Sequence, residues 1–137
     1  MPRDRNIKGR KDPLLENLAD GLLRASGTPE LAGKIGVFWS ARLVSTAGMA
    51  CHTRRCILLH PALAEVGAEE VDRTLRHELA HFLAVHRAGR KRIAAHGPEW
   101  RKACADLGIP GEPRCHNLPL RDLLGKSTPR RPAPVKA

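Results

Sequence analysis

The segment Glu69-Glu70-Val71-Asp72-Arg73-Thr74-Leu75-Arg76-His77-Glu78-Leu79-Ala80-His81-Phe82-Leu83-Ala84-Val85-His86 spaces Val71, Leu75, Leu79, Phe82 and Leu83 at intervals of three and four. That is the apolar stripe of an amphipathic helix with one face on a core. Gly89 ends it. Within this helix, His77-Glu78-Leu79-Ala80-His81 puts two imidazoles one turn apart on one face, where they can ligate one zinc ion at ~2.0–2.1 Å. Glu78 lies about 100° around the helix from His77. From there it stands outside the ligand set and reaches a water on the metal, as a general base does. Two His and a Glu also meet by chance on charged helical faces. Here the opposite face is apolar, the helical context that metal binding by this motif requires.

Upstream, Leu14, Leu15, Leu18, Leu22 and Leu23 recur at helical spacing behind Asp12-Pro13, an N-cap followed by proline at the first helical position, with Gly27 as the stop. Residues 35–39, 43–51 and 56–59 are short apolar or β-branched runs, which predict a small three-stranded antiparallel sheet. His52-Thr53-Arg54-Arg55 connects the second run tightly to the third. Gly48 inside the second run marks a bulge or a close backbone approach. A short helical turn follows His60-Pro61. Downstream of the long helix, a basic loop leads to His96-Gly97-Pro98-Glu99; Pro98 suits the first turn of a helix that Ala103 and Leu107 continue and that Gly108 and Pro110 stop. The expectation is an α+β domain with about three helices over residues 13–120. Flexible tails flank it, basic at 1–12 and Pro/Arg-rich at 121–137.

With 137 residues the chain has room for one core. Aromatic residues are 3% of it, with no Tyr, which argues against a base-stacking platform. Lys and Arg number 24 against 14 acids, and the net charge of +10 favours polyanionic partners, nucleic acid first among them. Arg87, Arg90, Lys91, Arg92, Arg101 and Lys102 cluster around the candidate metal residues. Such a cluster is either a solvated face or a phosphate-binding surface. The first residues are charged where a secretory signal is apolar, and no run approaches the ~18 apolar residues of a membrane span, so a cytoplasmic location is expected. Cys51, Cys56, Cys104 and Cys115 read as free thiols, since no pair has Cys-x-x-Cys spacing and the compartment is reducing.

A catalytic zinc needs three protein ligands and an open position. A metzincin-type third His falls on Arg87 and the accompanying Gly on Ala84, so that arrangement fails. Glu99, as a carboxylate, and His96, as a third imidazole, both remain. Their structural alternatives are a first-turn acid complementing the helix dipole and a residue beside the cap. His86 reads as a solvated helix end.

His77-Glu78-x-x-His81 followed by His96-Gly97-Pro98-Glu99-Trp100 resembles the SprT-like metalloprotease family, which includes the Spartan protease of DNA–protein crosslinks. That family's second motif is His-Gly-x-x followed by Phe or Trp. Trp39-Ser40-x-Arg42-x-x-Ser45-Thr46-Ala47-Gly48 is similar to the strand segment before its active-site helix. The resemblance covers roughly residues 14–120. It implies a minimal zincin-like fold, with the HExxH helix beside the small sheet. It makes His77, His81 and His96 the ligands of Zn2+ and Glu78 the catalytic acid–base, and it sets Glu99 aside. Gly97 then allows close approach to the metal-binding helix, and Trp100 packs behind His96. The implied activity is zinc-dependent endopeptidase action on a protein or peptide substrate, including DNA-associated or crosslinked protein, with DNA held by the basic surface. The rivals are a non-catalytic DNA-associated module with a structural metal and a hydrolase of a non-peptide bond. Without Tyr, the oxyanion donor is left to His116, His60, an Arg or a backbone N–H. No Cys follows Cys115-His116, so the Cys-rich ribbon that often closes bacterial members is not expected.

Overall fold

The computed structural model describes residues 9–43 and 46–114. The elements run β1 (Arg10–Lys11), α1 (Pro13–Ala25), a single 3-10 turn (Pro29–Leu31), β2 (Gly36–Trp39), β3 (Gly48–Cys51), β4 (Cys56–Leu59), α2 (Ala62–Val66), α3 (Ala68–Ala88) and α4 (Pro98–Asp106). Asp12 starts α1 as its sequence position suggests: Oδ1 accepts from the Leu15 N–H at 3.0 Å, satisfying one of the amides a helix start leaves unpaired. Its other oxygen accepts from the Trp39 indole at 2.8 Å, so one carboxylate both caps the helix and ties it to β2.

The α+β class stands, but the sheet is four-stranded and mixed rather than three-stranded and antiparallel. Its order is β1-β2-β4-β3. β3 and β4 form the antiparallel hairpin expected across residues 52–55, pairing Gly48 with Leu59 and Cys51 with Cys56. β4 then inserts between β3 and β2 and runs parallel to β2, pairing Val37 with Ile57 and Trp39 with Leu59. The physical reason is visible in burial. Val37, Phe38, Ile57 and Leu59 are all buried, so β2 and β4 are central strands with unbroken apolar runs, the pattern parallel neighbours show. The fourth strand comes from Arg10 and Lys11, within the basic N-terminal segment; they pair antiparallel with Trp39 and Phe38. Lys11 is retained there by Glu16, 2.7 Å away, whose same oxygen accepts from the Val37 N–H at 3.0 Å. The predicted strand at 43–51 contracts to Gly48–Cys51, and Val44 and Ser45 lie outside the described residues. Residues 1–8 and 115–137, which include most of both predicted tails, also lie outside them.

Helix α3 is the spine. Leu75, Leu79 and Leu83 are fully buried, as the sequence stripe requires, and so are Thr74 and Ala80, while His77 and Glu78 are nearly so. Burial on more than one face follows from position: α3 packs on β3 and β4, on α1 and α2, and on α4. Glu69 and Glu70 in its first turn and His86 and Arg87 in its last complement the helix dipole. Among the described residues no helix is long and apolar enough to cross a membrane.

Candidate metal centre

His77 and His81 stand one turn apart on α3, with ring centroids 5.7 Å apart. Pro98 begins α4 two residues after His96, and this brings the third imidazole back over α3, 4.8 Å from the His81 ring and 5.8 Å from that of His77. One ring nitrogen of each lies within 4.8 Å of the others, so the three could hold a metal ion after small side-chain rotations. His77 is buried and the other two are half-buried, which opens the group to solvent on the His81–His96 side. Glu99, the alternative third ligand, is not in this group; its Oε2 is 3.8 Å from the Lys91 ammonium.

Trp100 backs all three rings. Its centroid is 4.7 Å from His96 at 87°, 4.9 Å from His77 at 65°, and 5.6 Å from His81 in a stacked arrangement. The indole N–H donates to the His77 carbonyl at 3.2 Å, and Arg101 donates to the His96 carbonyl at 3.2 Å. The spacing of His96 and Trp100 therefore places the ring wall one turn into α4, behind the ligands. Gly97 differs from expectation: a Cβ there would meet Ala94 in its own turn at 3.1 Å, not the metal-binding helix.

The electrostatics suit a cation. Burial, followed by the charges of His96, His77 and His52, pushes His81 down to about 4. His96 is lowered by burial and by Arg114. Both rings are thus neutral near pH 7 and offer lone pairs. Glu78 is pushed up to about 7, first by burial and then by the neighbouring Glu112 carboxylate. Positive charge nearby would reverse that shift.

Gly48 is a close-approach glycine, as its place in a strand suggested. A Cβ there would lie 2.9 Å from Thr74 Cγ2 and 3.2 Å from both Cγ and Oε2 of Glu78. β3 therefore runs directly against the Glu78 side chain. Gly48→Ala is expected to cost about 1–3 kcal/mol of stability through overpacking, seen as a lower urea midpoint. An unchanged midpoint would mean that β3 and α3 separate freely.

Two neighbours of the site, Glu112 and His52, leave no periodic or motif signal in the sequence. Glu112 Oε2 is 2.8 Å from His77 Nδ1, and Arg73 Nε donates to Glu112 Oε1 at 2.8 Å. A lone Glu between Gly111 and Pro113 carries no periodic signal. His52, in the hairpin turn, packs on Phe82 with centroids 4.7 Å apart. Of the suggested oxyanion donors, His60 accepts from the Ala62 N–H through Nδ1 at 3.0 Å and thereby caps α2, and His116 lies outside the described residues. His86 pairs with Glu30 at 3.0 Å on the surface. The basic cluster is partly neutralised, since Arg87 pairs with Asp106 at 2.7 Å and Lys102 with the same carboxylate at 3.6 Å. Cys51, Cys56 and Cys104 are free thiols.

The sequence model of the SprT-like family matches residues 14–117. The chain is 35% identical over 85 residues to Protein SprT of Pectobacterium atrosepticum, covering 61% of this chain and 48% of that protein. The figures are the same for Protein SprT of Pectobacterium carotovorum. Over 121 residues it is 30% identical to the Germ cell nuclear acidic-1 protein of Caenorhabditis elegans, covering 82% of this chain and 22% of that protein. The chain thus spans about half the length of the SprT proteins, at 48%, and less of the nematode protein. No solved structure matches it.

Proposed function

This chain belongs to the SprT-like family, with the metallopeptidase-type domain that membership suggests, and from that premise we propose that it is a zinc-dependent endopeptidase with a zincin-like fold. In this reading His77, His81 and His96 hold the zinc, and Glu78 moves the proton. The observation that carries it is the convergence of three imidazoles from two separate segments, with a buried carboxylate on the adjoining helical position. Three imidazoles match the ligand preference of zinc.

A zinc ion held there supplies Lewis-acid polarisation of a peptide carbonyl and brings the pKa of water toward ~7. Glu78 accepts the proton of the attacking water and donates it to the departing amine nitrogen, acting first as general base and then as general acid. His81 and His96 form the solvent-facing side, where an extended substrate enters. Trp100 and the Arg101 bond to the His96 carbonyl hold the third ligand in place. Donors for the oxyanion come from an imidazole, an Arg or a backbone N–H, because the chain has no Tyr.

The substrate class is unfolded or DNA-associated protein, with DNA contacted by the surplus basic residues; the net charge of +10 supports the latter. Free thiols at Cys51, Cys56 and Cys104 suit a reducing cytoplasm. The test is cleavage of denatured casein by the zinc-loaded protein, with and without DNA. Cleavage should stop on chelation and return with zinc. Zinc retained without any cleavage, alongside DNA binding, would favour the non-catalytic DNA-associated module.

A further inference from the structure

We infer that Glu112 is a positioning residue for the metal centre: held by Arg73, its carboxylate fixes the His77 ring with the proton on Nδ1, so that Nε2 is the nitrogen that would ligate the cation. The inference rests on the metal-centre reading above. Arg73 lies one turn before His77 on α3, so guanidinium and imidazole stand side by side and take the two oxygens of one carboxylate, each at 2.8 Å. The Glu112 side chain is 2% exposed and that of His77 5%, which shields the bond from bulk solvent. A carboxylate bound to a guanidinium through one oxygen offers only an acceptor through the other. A neutral imidazole facing it must donate from Nδ1, and its one remaining lone pair is on Nε2. Carboxylate partners of this kind orient metal-binding His in many sites.

Glu112 arrives from the chain beyond α4. Arg76 Nη1 donates to the Leu107 carbonyl at 2.6 Å, fastening the end of α4 to α3, and Gly111, at φ 75°, turns the chain so that the next residue points inward. The same α3 face thus carries two anchors for this segment and the metal ligand that the segment orients.

Glu112→Gln tests the assignment because it keeps shape and removes the paired acceptors. If the amide oxygen faces Arg73, its NH2 meets Nδ1 and favours the tautomer with a proton on Nε2. If the oxygen faces His77, the NH2 opposes the guanidinium. Zinc affinity is read by competition with a chromophoric chelator at pH 7, and folding by thermal melting of the metal-free proteins. Glu112→Gln should raise the zinc Kd by about 10–100-fold, while the metal-free protein still melts cooperatively. Placed in a His77→Ala background, the same substitution should have no further effect on residual affinity. An unchanged Kd, or an equal loss in the His77→Ala background, would overturn the inference. If Glu112→Gln does not fold, Arg73→Gln carries the test; it should weaken zinc binding in the same direction, and unaltered affinity refutes the assignment. Failure of the wild-type protein to take up zinc would instead bring down the metal-centre reading, and this inference with it.

Discussion

Glu78→Gln is expected to keep one zinc ion per chain and to lose peptide cleavage by about 10²- to 10⁴-fold, the usual contribution of a positioned proton carrier. At about 10³-fold the barrier rises by ~4 kcal/mol. The reason for full metal retention is that Glu78 stands outside the group formed by His77, His81 and His96. The reason for the loss is that the amide of Gln cannot take up the proton that the Glu78 carboxylate accepts from water. Cleavage of a quenched fluorescent peptide and elemental analysis of the same sample measure both quantities. Undiminished cleavage would remove Glu78 from the chemistry, and loss of zinc with cleavage would make it a ligand instead.

Trp100→Ala is expected to destabilise the fold by about 3–5 kcal/mol, as emptying a well-packed aromatic site does. Trp100 is 1% exposed, touches all three imidazoles and donates to the His77 carbonyl. A domain of this kind has ~5–15 kcal/mol in total, so urea denaturation should show a large fall in midpoint. Zinc binding should weaken as well, because His96 loses the wall behind its ring. Trp100→Phe should retain most of the packing and lose the hydrogen bond, a smaller effect of about 1 kcal/mol. A loss below ~1 kcal/mol for the alanine variant would mean that the ring wall is dispensable.

The helices were legible in the sequence because their stripes have a local cause. Leu75, Leu79 and Leu83 recur with the helical period and are fully buried, and Asp12-Pro13 marks the start of α1 through a capping bond three residues long in sequence. The sheet was less legible because pairing is a global choice. Nothing in residues 56–59 says that they lie beside residues 36–39 in parallel, and Arg10-Lys11 has no strand composition; it pairs because Glu16 and Asp12 hold it against β2. The pair His77 and His81 follows from helix geometry alone. Helix geometry does not select His96 over Glu99. The family resemblance selected it, and the structure brings its ring to the other two. Glu112 bonds His77 across 35 residues, a distance over which no spacing rule operates. Gly48 did signal its close approach to α3, because a glycine inside an apolar strand run marks a place where a Cβ has no room.

Zinc stoichiometry of the purified protein, measured side by side for wild type, His96→Ala and Glu99→Ala, addresses the three-imidazole site most directly. The expected result is one zinc per chain in wild type and in Glu99→Ala, with zinc lost from His96→Ala. Zinc retained by His96→Ala and lost from Glu99→Ala would contradict the site described above.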